Sequence, residues 1–200
     1  LKNLKSQIKS IASSKGLSGS ILANKFNIEK STTDYKLILN DDSINTIIIT
    51  TQHGSHSKFV SEALDNNKYV FVEKPLAITK EGLDRVVNSQ KKSKGFITVG
   101  FNRRFAPLSI ELKKRLSNQP MNVIATMNAG YIPYDSWVHD IKSGGGRIIG
   151  EACHFIDLIS FLSGSLVKSV CMNAMGNTPT THTDNASILL KYENGSNAVI

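Results

Sequence analysis

The chain has 200 residues, of which 40% are hydrophobic and 20% are charged, a composition typical of a globular protein that can bury a core. Its net charge of +8 comes from lysines scattered among asparagines and serines, without the zinc pattern or aromatic-rich basic strand of nucleic-acid-binding proteins, so we expect no nucleic-acid partner and no metal site. No apolar run approaches the roughly 18 residues of a membrane span, and Cys153 and Cys171 make no disulfide framework, which favours a cytoplasmic protein without a membrane partner.

Up to about residue 101, strand-like and helix-like segments alternate. Strands are predicted at residues 10–14, 45–52, 69–73 and 95–101. Helices are predicted between them, at residues 18–27, 32–40, 58–66 and 80–92. This rhythm is typical of βαβ units, so residues 1–101 are predicted to form an α/β domain with a parallel sheet.

Two of these segments carry more specific expectations. In the helix at residues 32–40, Thr33 is expected to be the N-cap, and Leu37 and Ile38 are expected to face the core. The β-branched run within residues 45–52 predicts a strand that is covered on both faces.

After residue 101 the pattern changes to that of an α+β domain. Helices are predicted at residues 107–116 and 152–164, and strands at residues 169–175 and 186–200. Asn194 and Gly195 are a hairpin turn signal, so residues 102–200 are predicted to carry a mostly antiparallel sheet. Because the chain starts without methionine and stops within a predicted strand, we interpret it as a piece of a longer polypeptide.

Polar residues follow three of the predicted strands at the point where each strand ends. They are Thr50, Thr51, Gln52 and His53 with His56 nearby, then Glu73, Lys74 and Pro75, then Asn102, Arg103 and Arg104. In an open parallel sheet the strands end at one edge, and ligands bind beyond that edge. Each cluster alone is compatible with an ordinary polar turn, but the three together favour a binding site.

Lys74 is the most specific candidate among them. A residue before proline is held in extended geometry, so the direction of its backbone is fixed, and the bond to proline can be cis. A lysine held at the floor of a cleft can polarise a carbonyl or lower the pKa of a substrate hydroxyl. Neighbours in an extended chain point in opposite directions, so we expect no direct ion pair with Glu73.

The segment from Gly144 to Gly164 holds a second candidate site. An apolar helical face is predicted from Ala152, Phe155, Ile156, Ile159 and Leu162. His154 and Asp157 lie three residues apart on a neighbouring face, so that one can orient the other. Such a histidine is more often structural than catalytic, but the preceding glycine triplet allows a backbone to approach a ligand closely.

Together these motifs resemble the glucose–fructose oxidoreductase/inositol dehydrogenase (Gfo/Idh/MocA) family. The hallmark Glu-Lys-Pro at the end of a Rossmann strand is matched by residues 73–75, and the Thr-Pro-Asn-x-x-His motif is matched in outline by residues 51–56. Further matches are VGFNRRF at residues 99–105, the glycine-rich loop with His154 and Asp157, and YENG at residues 192–195. The resemblance spans nearly the whole chain in the family's order.

The resemblance implies part of a Rossmann domain at residues 1–101 and part of a substrate and oligomerisation domain at residues 102–200. It implies an NAD- or NADP-dependent oxidoreductase that transfers hydride between nicotinamide and a sugar, polyol or nucleotide sugar, and that forms homo-oligomers at full length. Lys74 would contact both substrate and nicotinamide ribose, and His154 would be the acid/base. The residues implied to bind the cofactor are Ser13, Ser14, Lys15, Thr50, Thr51, His56, Glu73, Lys74 and Pro75.

Two departures from the family pattern bear on these roles. Many members carry Asp four residues before the catalytic histidine, where this chain has Gly150; either Glu151 beside it supplies the carboxylate, or His154 and Lys74 work without one. The first strand and its glycine-rich turn are missing, so we expect the 200 residues alone to bind dinucleotide poorly and to be inactive. Ser13 and Ser14, followed by Lys15, replace the usual ribose-binding acid, which leans towards NADP.

The substrate itself is not predicted. Its contacts are expected from the loop with Tyr131 and Trp137, from Glu151 and Asp157, and from Arg103 or Arg104, although these two arginines fit a solvated surface equally well. An alternative function is a non-catalytic regulatory protein that binds a sugar or dinucleotide on the same fold. The presence of both Lys74 and His154 favours catalysis, because a pure binding protein needs no positioned base.

Overall fold

The computed structural model describes residues 6–117, 119–178, 180 and 183–200, and its elements alternate in the first half as expected. The strands of this half are β1 (Ser10–Ala12), β2 (Lys30–Thr32), β3 (Thr46–Ile49), β4 (Tyr69–Val72) and β5 (Ile97–Val99). The helices are α1 (Leu17–Phe26), α2 (Lys36–Leu39), α3 (His53–Asp65) and α4 (Lys80–Lys92). All strand pairings among them are parallel, which confirms the predicted α/β class.

These strands form two parallel sheets within the described residues. Strand β1 pairs with β2, while β3, β4 and β5 lie side by side in that order. Helices α3 and α4 pack against one face of the three-stranded sheet. The most buried members of this core are Val60, Ala63, Leu64, Val70, Val72 and Val86. The segments that follow β3, β4 and β5 therefore leave the sheet at one shared edge.

The three-stranded sheet is covered less completely than the sequence predicts. Ile49 faces the helices and is 4% exposed, but Ile48 points to the opposite face and is 50% exposed. The prediction of a strand covered on both faces is wrong, because α3 and α4 pack on the same side. Helix α1 is similar: its apolar Ile21 and Phe26 are exposed, and its small Ala23 is buried.

The predicted helix at residues 32–40 is wrong in its first half. Thr32 ends strand β2, and its hydroxyl accepts a hydrogen bond of 3.0 Å from the N–H of Asp34, a local turn that competes with helix formation. Helix α2 occupies only the last four positions before Asn40, so Thr33 is not its N-cap. Leu37 is 63% exposed and does not face the core.

The second half has one mixed sheet and two α-helices in its described residues. Its elements are a 3₁₀ turn (Asn102–Phe105), α5 (Pro107–Arg115), β6 (Asn122–Ile124), a π-helical turn (Ile148–Ala152), α6 (Cys153–Ser163), β7 (Val167–Ala174), β8 (Ala186–Tyr192) and β9 (Asn197–Val199). The sheet order is β6-β9-β8-β7, with β9, β8 and β7 antiparallel and β6 parallel to β9. This confirms a mostly antiparallel sheet.

Helix α6 packs against one face of this sheet and ends as predicted. Gly164 follows it with φ of 66°, the left-handed conformation that favours glycine at a helix end. The buried core between helix and sheet includes Ile159, Ile188, Leu190, Tyr192 and Ala198. Among the described helices of the whole chain, none is both long and apolar enough to cross a membrane.

Candidate active site

Lys74 joins the two halves of the molecule. Its Nζ donates a hydrogen bond of 2.9 Å to the Gly150 carbonyl and lies 3.2 Å from Glu151 Oε1. The neighbouring Glu73 points elsewhere, since its carboxylate lies 3.2 Å from where a Cβ on Gly100 would be. The expectation that Glu73 and Lys74 do not pair is therefore confirmed, and the Lys74–Pro75 bond is cis.

Glu151 provides a carboxylate for Lys74, although position 150 has no side chain. Both residues belong to the π-helical turn, a rare distortion often found at functional sites. A Cβ on Gly150 would lie only 2.9 Å from Cε1 of His53, so the imidazole of His53 fills the space that a larger residue would need. Position 53 also departs from the family motif, which has Asn there. The His53 ring therefore occupies the space that the absence of a side chain at Gly150 leaves.

His53 holds the loop that precedes the π-helical turn. Helix α3 begins at His53 rather than at the predicted residue 58. Nδ1–H of His53 donates a hydrogen bond of 2.9 Å to the Gly144 carbonyl, and the ring packs edge-on against Trp137 at a centroid distance of 4.8 Å. Burial lowers the pKa of His53, so its ring is neutral at physiological pH.

His56 is a buried link between two strand ends. It is 0% exposed, with Nδ1 2.8 Å from the Pro75 carbonyl and Nε2 2.9 Å from the Thr51 carbonyl. The ring therefore contacts the protein backbone and holds the segments after β3 and β4 together. Any effect of His56 on a cofactor would be exerted through Thr51 and Pro75.

His154 lies in the first turn of α6 and is 8% exposed. Burial lowers the pKa of His154, and the nearby positive charges of Lys74 and Arg103 lower it further. Its Nδ1 is buried and has no hydrogen-bond partner among the described residues. Nε2 is therefore the ring nitrogen left to exchange a proton with a ligand.

Asp157 does not orient His154 as expected. Its carboxylate accepts two hydrogen bonds from Arg104, one of them 2.9 Å from Nε to Oδ2. The guanidinium of Arg104 also lies 5.6 Å from the ring of Phe161. A carboxylate held by a bidentate guanidinium has little freedom to turn to His154, so this part of the prediction is wrong.

Arg103 and Arg104 cannot be distinguished in the sequence, but they differ in their contacts and exposure. Arg104 is bound to Asp157, and Asp157 raises the pKa of Arg104. Arg103 is exposed, and its guanidinium lies 4.7 Å from the ring of Phe155. Of the two arginines, Arg103 is the one available to a ligand.

The expected cofactor residues lie on both parallel sheets. Thr50 and Thr51 are exposed beyond β3, and the Thr51 hydroxyl lies 2.6 Å from that of Ser55. Ser14 and Lys15 are exposed beyond β1, where the half-buried Ser13 places its hydroxyl 2.6 Å from that of Ser18. The structure brings residues 50–51 and 73–75 together through His56.

Arg147 is a further anchor that the sequence prediction did not include. It is 7% exposed; its guanidinium donates hydrogen bonds to the carbonyls of Ala129 and Gly130 and contacts Asp184. These contacts hold the segment that leads to the expected substrate residue Tyr131, which is exposed. The sequence signal is a lone arginine after a glycine triplet, which identifies no partner.

Both halves of the chain are similar to known proteins. A family model described as "Oxidoreductase family, NAD-binding Rossmann fold" matches residues 2–101, and the "GFO/IDH/MocA C-terminal domain" matches residues 119–200. The chain is 28% identical over 184 residues to the uncharacterized oxidoreductase YrbE of Bacillus subtilis, covering 89% of this chain and 54% of that protein. It is 34% identical over 133 residues to an inositol 2-dehydrogenase of Salmonella typhimurium, covering 59% of this chain and 40% of that protein.

A solved structure shows the same fold. Levoglucosan dehydrogenase, in a complex with NADH and levoglucosan, aligns with a TM-score of 0.80 and 22% identity over 96% of this chain and 57% of its own. The chain therefore spans about half the length of the relatives that it matches. With family models matched across both halves, the chain belongs to the Gfo/Idh/MocA family of oxidoreductases, whose first domain is an NAD-binding Rossmann fold.

Proposed function

We propose that this chain supplies the catalytic Lys74 and His154 of an NAD- or NADP-dependent dehydrogenase that oxidises a hydroxyl-bearing carbon of a sugar or polyol. The observation that carries the proposal is the placement of Lys74, whose Nζ contacts Gly150 and Glu151 in the turn that leads directly into His154. A cation and a neutral base beside each other are what the removal of a proton from an alcohol requires.

The residues present fit the nicotinamide end of a dinucleotide. The exposed hydroxyls of Thr50 and Thr51 lie beyond β3, at the sheet edge where such cofactors bind. In the first turn of α6, the Nδ1 atom of His154 is buried and has no hydrogen-bond partner among the described residues, which leaves its polar capacity unused by the protein. When bound, nicotinamide supplies a carbon that accepts the hydride.

Lys74 would bind and polarise the substrate oxygen. An ammonium group has three N–H donors, and within the described residues two of them are used, by Gly150 and Glu151. The third is free to donate to a substrate hydroxyl. The positive charge of the ammonium then lowers the pKa of that hydroxyl, because it stabilises the negative charge that develops on the oxygen. Glu151 holds the amine in place while remaining partly exposed to solvent.

His154 would accept the hydroxyl proton. Because burial and the charge of Lys74 lower its pKa, its ring is neutral near pH 7 and can act as a base. The O–H proton would pass to the imidazole as the alcohol is oxidised to a carbonyl, and the hydride acceptor that this oxidation needs is the chemistry that nicotinamide would supply. In the reverse direction the protonated ring returns the proton to the new alcohol.

The finer choices of cofactor and assembly are also proposals. The exposed Lys15 beyond β1, whose neighbours in the sequence are Ser14 and Gly16 rather than an acid, supports NADP over NAD. On the sheet face away from α6, the apolar side chains of Leu189, Val199 and Ile124 lie in one cross-strand row and are exposed, which supports pairing between two copies. Leu189→Lys should then shift the mass in solution to that of a monomer.

The proposal is tested on the complete gene product, with NAD⁺ and NADP⁺ and a panel of inositols and sugars, by absorbance at 340 nm. Lys74→Met and His154→Asn should each lower turnover by about 10²-fold or more. The exposed Lys80→Met should leave it unchanged, because within the described residues Lys80 forms its ion pair with Asp84 on the surface. Unchanged turnover in the first two variants would contradict the assignment; cofactor binding without turnover on any substrate would favour a regulatory protein.

A further inference from the structure

A cavity of about 440 Å³ lies apart from the candidate active site, between the first turns of α3 and α4 and the loop at residues 141–142. Three cationic side chains from three different segments line it: Lys58, Arg85 and Lys142. None of the described residues that line it is an aspartate or a glutamate, and none is a residue assigned above to cofactor or substrate.

Hydroxyl groups line the floor of this cavity. Ser57 is 9% exposed, and its hydroxyl has no hydrogen-bond partner within the described part of the chain. The hydroxyl oxygen of Ser57 is not among the fully buried unpaired atoms, so it remains accessible and can exchange a hydrogen bond with a bound group. Thr79, the N-cap of α4, also lines the cavity, near the positive end of that helix dipole.

Close backbone contacts hold these groups in place. A Cβ on Gly82 would lie 2.8 Å from the Ser57 hydroxyl, so glycine is what lets α4 approach α3 at this point. A Cβ on Gly54 would lie 1.8 Å from the Lys142 carbonyl, and the Gly54 N–H donates to Ser143 at 2.8 Å. The loop that carries Lys142 is therefore fixed against the first turn of α3.

The cations are available to a ligand. Arg85 and Lys142 are exposed and have no ion pair among the described residues, and Lys58 lies near the rings of Tyr35 and Phe59, at 5.8 Å and 5.9 Å. Asp140, the carboxylate nearest in sequence to Lys142, accepts hydrogen bonds from Ser143 in its own loop. The charge of Lys142 acts on the Asp140 carboxylate, whereas Lys58 and Arg85 face no carboxylate among the residues that line the cavity.

We propose that this cavity is a second binding site, for a small phosphate monoester. The phosphate would lie between Arg85, Lys142 and the Ser57 hydroxyl, because a dianion with several acceptor oxygens matches cations and a hydroxyl donor. The cavity is larger than a phosphate ion requires, and Ile78 and Ile141 on its wall suit the organic part of the ligand. This site goes beyond the proposed dehydrogenase function and does not depend on it.

The test is a titration of the ¹⁵N-labelled 200-residue chain with inorganic phosphate at constant ionic strength, followed by amide shifts of Gly54 and Gly82. We expect saturable shifts at both amides. Arg85→Gln, Lys142→Gln and Ser57→Ala should each weaken the phosphate Kd by about fivefold. The matched control is Lys91→Gln, an exposed cation at the end of α4 that does not line the cavity and should leave the Kd unchanged.

Parallel titrations identify the source of the phosphate. Tighter binding of glucose 6-phosphate than of inorganic phosphate would assign a sugar phosphate, tighter binding of adenosine 2′-monophosphate would assign a nucleotide, and equal binding would assign the phosphate ion. The spectrum of each variant reports whether it is folded, and Ser57→Ala removes only one oxygen from the site. The absence of saturable shifts, or an equal loss in Lys91→Gln, would overturn the proposal.

Discussion

The ion pair between Arg104 and Asp157 offers a quantitative test of how the segment that follows β5 is held against helix α6. It connects the 3₁₀ turn after β5 to helix α6 by two parallel hydrogen bonds. Replacing Arg104 with Gln or Asp157 with Asn removes this pairing; Asn has the size of Asp, and Gln keeps the unbranched stem of Arg without the guanidinium. If Arg104 is a structural residue, as its contacts indicate, both variants should unfold at lower urea concentration.

The expected magnitude follows from burial. The Asp157 side chain is 9% exposed, so each charged hydrogen bond falls in the range of about 1.5–3 kcal/mol. The Arg104 side chain is 34% exposed, and the part in water is screened, which reduces the total. We expect a coupling free energy of about 2 kcal/mol from a double-mutant cycle.

The assay is urea unfolding of the wild type, both single variants and the double variant, with the slope m compared to confirm the same transition. The pair Arg115 and Glu111 on α5 is a matched control, since its side chains are 75% and 50% exposed. Its coupling should stay below about 0.5 kcal/mol. A coupling for Arg104 and Asp157 no larger than the control would refute the structural assignment and leave Arg104 free for a substrate.

Three further predictions concern burial. Leu64→Ala should cost about 3 kcal/mol in the free energy of unfolding and Leu37→Ala less than about 1, because the first side chain is 0% and the second 63% exposed; similar costs would contradict the packing described. Burial lowers the pKa of both His53 and His154 in the folded protein. In the unfolded chain both histidines have a pKa of about 6.5, so below that pH the unfolded chain binds more protons than the folded protein. Stability from these residues should be complete above pH 6.5 and be lost as pH falls through their lower folded pKa values, so a urea midpoint that does not change between pH 8 and pH 5 would exclude this effect. Gly150→Ala should cost at least about 1 kcal/mol through its contact with His53, and His53→Ala in the same chain should recover part of that loss; no recovery would show that the collision lies elsewhere.

The sequence predicts an element well where the local pattern agrees with the tertiary packing. Helix α4 has the predicted bounds because Thr79 caps it through the N–H of Gly82 and its apolar face packs on the sheet. The predicted helix at residues 32–40 begins late because the side chain of Thr32 forms a local turn. The exposure of Ile48 and Leu37 depends on which faces other elements cover, and residue spacing carries no such information.

The same distinction applies to the site. Of the two alternatives for the missing acid, the contact between Glu151 and Lys74 supports the one in which Glu151 supplies the carboxylate, and this role stays a prediction. The partner of Asp157 could not be predicted from helical spacing, since Arg104 lies 53 residues away. His53 was noted only as part of a polar strand end, and its contact with Gly144, 91 residues distant, exists only in the folded chain.

The central claim is that Lys74 and His154 work as a pair on a substrate alcohol. Its most direct test is the pH dependence of kcat/KM for the complete gene product with its best polyol or sugar. We predict a rate that rises with pH through an acidic limb with a pKa below 6.5, set by His154, and that loses this limb in His154→Asn. An unchanged acidic limb in His154→Asn would contradict the account.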